Sequence, residues 1–213
     1  LMHPIVKEFI TTESSFIEIF KKVGDPNQPV EVILPKLSTL THKDASINLN
    51  LDQEIDDAIN HGHPDEEVYE IFISILIIFC CIHSKKEKSE SAYRIGNSLN
   101  IKKFHVEIQA LFYQSCSYYF HLIKDYVKRD ELNILVMKIM PKNNLRYYKV
   151  LSNVGQILGI EGRLKLLSED NYKLLEKAAE SHPVTLGCFL INSLFTVNIN
   201  QIDKYITDMF TKI

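Results

Sequence analysis

Glycine is scarce in this chain, with seven in 213 residues. That scarcity argues against an all-β fold with many tight turns, and against a loop built to cradle a nucleotide. Neither G-x-G-x-x-G nor a Walker pattern occurs. There is no excess of positive charge either. Lysine and arginine total 24 against 27 acids, for a formal net charge of -3, so the electrostatic footprint of a nucleic-acid binder is missing. Cysteine is sparse, at positions 80, 81, 116 and 188, with no C-x-x-C pair. Adjacent Cys80 and Cys81 cannot easily pair, and the pattern suits reduced, buried thiols in a cytosolic compartment. The N-terminal residues show no basic region followed by an apolar core, so no signal peptide is expected. The longest apolar run, IFISILIIFCCI at 71–82, is well short of the roughly 20 residues that span a bilayer. A buried central helix is the expectation there.

Helical periodicity fills the space these absences leave. In HPIVKEFITTESSFIEIFKKVG, Pro4 suits a first turn. Ile5, Phe9, Phe16 and Phe20 share a stripe, and Lys21, Lys22 and Gly24 close the segment. DPNQPVEVILPKLSTLTHKDAS reads as a surface loop with an extended piece at 30–34. Asn50 with Gln53 resembles a capping box that opens a helix to about Asn60. His63-Pro64, followed by Asp65, Glu66 and Glu67, is a strong helix start, because carboxylates there complement the helix dipole. That helix should reach about His83. SKKEKSES, 84–91, reads as a solvated loop or frayed turn. Asn100 is expected to cap a helix to about Val127, and Asp130 the next one, which meets Pro141. Helices are expected again to about Leu158, over 168–181, from Val184 to Phe195 and from about Ile199 to Phe210. No internal repeat is visible. The expectation is an all-α fold: an elongated bundle of long helices, one bent at Pro141, forming a single domain over 1–213 within a larger protein.

Clusters that carry chemistry have simpler readings. HGHPDEE, 61–67, gathers two histidines and three carboxylates, yet metal sites draw convergent ligands from more than one segment. Here the acids are explained as a helix N-terminus. The cysteines lie in apolar stretches, where the thiol behaves as a small hydrophobe. The aromatic run YQSCSYYFHLIKDY, 113–126, has core-like helical spacing and a single lysine, Lys124, near its end, unlike a base-stacking platform with basic residues alternating among its aromatics. Neither a metal nor another cofactor is expected.

Pro141 is the anomaly. Proline inside a helix removes a donor and clashes with the preceding turn, costing about 3 kcal/mol. It survives where a bend is wanted. LNILVMKIMPKNNLRYYKVL, around this proline, resembles the third conserved region of the Dbl-homology domains, approximately L-x-x-L-L-x-K-P-x-Q-R-x-x-R-Y-x-x-L-L. Leu132, Leu135, Pro141, Tyr148 and Leu151 fit that pattern. VKEFITTESSFIEIF resembles the first region, L-x-x-T-E-x-x-Y-V-x-x-L, through Thr12, Glu13, Phe16 and Ile17. SEDNYKLLEKAAES is similar to the start of the last long helix through Tyr172, Leu175 and Ala178. Departures are plain: Met140 replaces the lysine before the proline, Asn143-Asn144 replace Gln-Arg, and Tyr147 replaces an arginine, with Arg146 shifted by one. Pro183 interrupts the last helix, and Ile191-Asn192 is about two residues out of register.

Dbl-homology domains are exchange factors for Rho-family small GTPases. The resemblance therefore implies a chain, or a bacterial effector imitating one, that remodels the GTPase switch regions and favours the nucleotide-free state. It implies Glu13 on switch I, Lys138 or Asn143 and Asn144 on switch II, and Asn192 as a further polar contact. Thr12, Arg146 and Tyr147 would complete the GTPase interface. The expected partner is thus a Rho-family small GTPase, with no nucleic acid, no membrane span and a monomeric, cytoplasmic protein (host cytosol for an effector). The alternative is a non-catalytic helical interaction module, an adaptor or a host-directed effector domain.

Overall fold

The computed structural model describes residues 1–12, 30, 51–140 and 207. The chain divides into two compact units, Leu1–Ile139 and Met140–Ile213, and the helices that follow belong to the first. They are α1 (Pro4–Thr11), α2 (Leu51–His61), α3 (Glu66–Ile82), α4 (Lys86–Ser98), a 3-10 turn (Ile101–Lys103), α5 (Val106–Leu122) and α6 (Tyr126–Ile139). No strand occurs among the described residues, and the all-α expectation holds. None of the described helices is long and apolar enough to cross a membrane. Pro141 and the helices expected after it lie outside the described residues, apart from Thr207, which is helical.

The start of α3 forms as its sequence dictates. The Asp65 side chain accepts from the backbone N–H groups of Glu67 and Val68, both at 3.0 Å. This satisfies two donors that have no partner within the helix. Beyond the cap, Val68, Ile71, Phe72, Ile73, Leu76, Ile77 and Cys80 are fully buried. Burial of each large apolar side chain contributes about 1.5–3 kcal/mol, so α3 is the central element. It packs against α4 and α5, and α5 packs against α6. The Tyr69 hydroxyl donates to the Ile59 carbonyl at 3.0 Å, fastening α2 to it.

Several expectations needed correction. The first helix stops at Thr11, and Thr12 turns to extended backbone with φ -112° and ψ 157°. Val30, in the expected extended piece, is helical and fully buried. The charged stretch 84–91 is not a loop: all but its first two residues belong to α4, whose buried positions are Ser89, Ala92 and Gly96. Their spacing is helical, but their side chains are too small to register as an apolar stripe. Lys85 and Lys88, at its start, pair with Asp52 and Asp56 of α2, both at 2.6 Å. Asn100 opens only the 3-10 turn, and the chain is extended at Phe104 before His105 caps α5. α6 begins before Asp130. The Asp125 carboxylate accepts from the Lys128 N–H at 3.1 Å, whereas Asp130 is buried within the helix.

The structure also reveals a repeat that the sequence conceals. α3 and α5 are both 17 residues long and start at 66 and 106, forty positions apart. Each ends in the same reversal into the next helix. Ser84 and Lys124, also forty apart, adopt left-handed backbone. In the first turn, Lys85 N–H donates to Cys80 O and Ser84 N–H to Cys81 O. In the second, Asp125 N–H donates to Phe120 O and Lys124 N–H to His121 O. Both are Schellman closures, which satisfy the last carbonyls of a helix. α3–α4 and α5–α6 are thus two copies of one helical hairpin. Val68 with Ile108 and Phe72 with Phe112 are buried at equivalent positions.

Candidate functional site

Of the residues implied as a GTPase-binding site, the described part of the chain includes two. Thr12 is half-buried at the C-terminal cap of α1, and its hydroxyl donates to the Glu8 carbonyl at 2.8 Å. Lys138 is exposed in the last turn of α6. α1 packs on α3, and α6 on α5. Glu13, Asn143, Asn144, Arg146, Tyr147 and Asn192 lie outside the described residues.

Three polar features were not anticipated. The first is Glu70, fully buried on α3. Neither of its carboxyl oxygens meets a hydrogen-bond partner among the described residues, and nor does the hydroxyl of buried Ser74 one turn on. Burial pushes the Glu70 carboxyl up to about 8, because an unsolvated carboxylate is costly. Gly96 of α4 faces it. A Cβ on Gly96 would stand 2.6 Å from the Phe112 ring, 3.0 Å from Ile73 and 3.2 Å from Glu70 Oε1. The equivalent of Glu70 in the second hairpin is Ala110, also buried. The acid is therefore peculiar to the first hairpin and not a requirement of the hairpin itself.

The second feature is centred on Arg129, which is fully buried in α6. Its Nε and Nη2 both donate to Asp130 Oδ1, at 2.9 and 2.8 Å. Nη1 lies 3.0 Å from His121 Nδ1, and the guanidinium sits 4.8 Å from the centre of the Tyr126 ring. A guanidinium has only donors, so the His121 nitrogen accepts.

At the third, the N-terminal ends of α1, α3 and α5 come together. His3 and His63 meet edge to face, 5.7 Å between ring centres. An open cavity of about 410 Å³ is lined by His3, Asp65, Glu66, Lys103 and Phe104 among others. Lys103 pairs with Glu66. No group of three histidine, cysteine or acidic side chains able to hold a metal ion occurs among the described residues. Cys80, Cys81 and Cys116 are free thiols, and desolvation raises all three, the first two to about 12. They are poor nucleophiles, because reactivity belongs to the thiolate.

Compared with known proteins, the chain matches no family model, no curated protein and no solved structure. Arg129 and Glu70 carried no signal that sequence reasoning could have used. Each is a lone charged residue on a helix, and its burial depends on what packs over it. His105 had a readable signal, because it stands two residues before Glu107 just as Asp65 does before Glu67.

Proposed function

We propose that this chain is a helical protein-interaction module. The observation that supports the reading best is the pair of equivalent hairpins, α3–α4 and α5–α6. Stacked helix pairs bury their core between neighbours and leave extended outer surfaces for partners. Here α6 carries Val127 and Ile134, 72% and 45% exposed, two turns apart on one stripe. Apolar side chains in that position suit contact with another protein.

A more specific reading makes the partner a Rho-family small GTPase and the chain its exchange factor. The ordered resemblance at 12–17, 132–151 and 172–178 supports it, although α1 ends at Thr11 and its first motif starts on a helix cap. The mechanism would involve no bond chemistry. The chain would bind the nucleotide-free GTPase more tightly than the nucleotide-bound form, and the equilibrium would shift by that difference.

One assay separates the two. Release of a fluorescent GDP analogue is measured from a panel of Rho-family GTPases with and without the chain, and binding to each is titrated in parallel. Accelerated release that is lost in Glu13→Ala supports exchange activity. Binding without acceleration, weakened by Val127→Asp with Ile134→Asp, supports the module alone with a GTPase as partner. Neither binding nor release across the panel overturns the GTPase reading. The general reading then falls if no purified partner from proximity labelling binds the chain in a manner sensitive to those two substitutions.

A further inference from the structure

Three histidines of this chain hold helix N-termini through the same atom. His3 Nδ1 accepts from the Ile5 N–H at 3.2 Å, His63 Nδ1 from the Asp65 N–H at 3.0 Å, and His105 Nδ1 from the Glu107 N–H at 3.4 Å. His3 and His105 are the N-caps of α1 and α5, and His63 secures the residue that caps α3. A backbone N–H can only donate. Each Nδ1 must therefore be the unprotonated nitrogen of a neutral ring. Protonation fills that lone pair and removes the cap.

We propose that this end of the first unit is an acid-sensitive device, in which protonation of His3 and His105 releases the first turns of α1 and α5. Two physical effects act in the same direction. The cap bond is lost, and a positive charge is added beside a helix N-terminus, where the backbone already presents partial positive charge. At α1 the effect is compounded, because the rings of His3 and His63 are close enough to repel once both are charged. Burial chiefly, and then His63, hold the His3 ring below its ordinary value, against the pull of Asp65. The other charged groups of the elements meeting here are Lys7 and Glu8 of α1, Glu66, Glu67 and, a turn further in, Glu70 of α3, Lys102 and Lys103 of the 3-10 turn, and Glu107 of α5. Of the carboxylates, Glu66 already pairs with Lys103, and Asp65 accepts from its own helix. His63 behaves differently: its Nδ1 lies 3.3 Å from the Asp65 carbonyl oxygen, so a protonated ring retains a local acceptor. The device therefore rests on His3 and His105.

For His3, whose neutral form is favoured by folding, stability is present above the ordinary imidazole value and lost as pH falls from that value through the depressed one. The test compares amide exchange at Ile5 and Glu107, corrected for intrinsic rates, at pH 7.5 and 5.5 in the full chain. The comparison chain carries His3→Asn and His105→Asn, because asparagine is a good N-cap that does not titrate. Protection should fall several-fold on acidification in the native chain and stay level in the variant. Unchanged protection in the native chain, or an equal fall in both, overturns the proposal. Imidazole nitrogen shifts of the native chain provide a readout that does not depend on the variant folding. Both rings should carry their proton on Nε2 at pH 7.5, and a proton on Nδ1 of either would overturn the proposal as well.

Discussion

Ser84 and Lys124 stand forty residues apart and carry the same backbone strain, with φ of +55° and +65°. Neither is glycine, although each occupies the left-handed position that most often calls for it. For a residue with a Cβ, that conformation costs about 1–2 kcal/mol. The turns persist because each closes two helix carbonyls and places the next helix against the core.

It follows that glycine at either position should stabilise the protein. Ser84→Gly and Lys124→Gly are each expected to add about 0.5–1 kcal/mol, somewhat less than the relieved strain, because glycine also gains freedom in the unfolded chain. Chemical denaturation should show a higher midpoint with an unchanged slope, and the two effects should add, since the turns lie in separate hairpins. A loss of stability at either site would mean that the side chain makes a contact worth more than the strain.

Gly96 makes the opposite case. A Cβ there would stand 2.6 Å from the Phe112 ring and 3.2 Å from Glu70 Oε1. Alanine in an exposed helix normally stabilises relative to glycine. Here α4 must move away from α3 and α5 to make room, and overpacking of this kind costs about 1–3 kcal/mol. Gly96→Ala should therefore lower the denaturation midpoint, and an increase would show that Phe112 can swing aside cheaply.

The sequence revealed the helices whose signals are local, and it hid those whose signals depend on neighbours. Pro4, the Asp65–Glu67 start and the apolar run at 71–82 act within a turn or two of themselves, and all appear as read. α4 was missed because its buried face is Ser89, Ala92 and Gly96, which permit close approach instead of supplying bulk. The expected helix from Asn100 was too long because nothing local distinguishes a 3-10 turn, a cap and a restart from continuous periodicity. The repeat was hidden because equivalent core positions exchange size, as with Leu76 and Cys116. Its signature lies in turn geometry that no side chain advertises. Of the candidate site, only Thr12 and Lys138 are described.

Arg129 and Asp130 provide a sharper test of burial. The guanidinium is fully buried and the carboxylate nearly so. Breaking such a pair leaves an uncompensated charge and costs about 3–5 kcal/mol. Arg129→Met alone should be severely destabilising. Arg129→Met with Asp130→Leu should recover much of that loss, because the second buried charge is then removed along with the first. A double-mutant cycle by denaturation measures the coupling. If the double variant is as unstable as the sum of the singles, then His121 and the wider packing hold Arg129, and the pair does not.

Glu70 should leave a signature in the pH dependence of folding. Its folded carboxyl is raised from the ordinary 4.5 to about 8, with desolvation as the cause. A raised acid binds its proton more tightly in the folded state than in the unfolded one. Between those two values the native state holds more protons, so stability falls as pH rises across the window. Below it both states are protonated and no penalty applies; above it the penalty is complete. The neighbouring titratable groups are Tyr69 and Cys116, both raised in part by Glu70 itself, and neither ionises within this window. Glu70→Gln keeps the shape and cannot ionise. From pH 5 to 8.5 the denaturation midpoint of the native chain should fall relative to that of the variant, the histidine contribution being common to both, with the variant the more stable at the alkaline end. Equal slopes would mean that the carboxyl finds solvent or a partner when it ionises. Glu70→Met, which fills the space with apolar atoms and removes two oxygens that meet no partner among the described residues, should be at least as stable as Glu70→Gln, since a buried polar group without a partner costs free energy even when it is neutral.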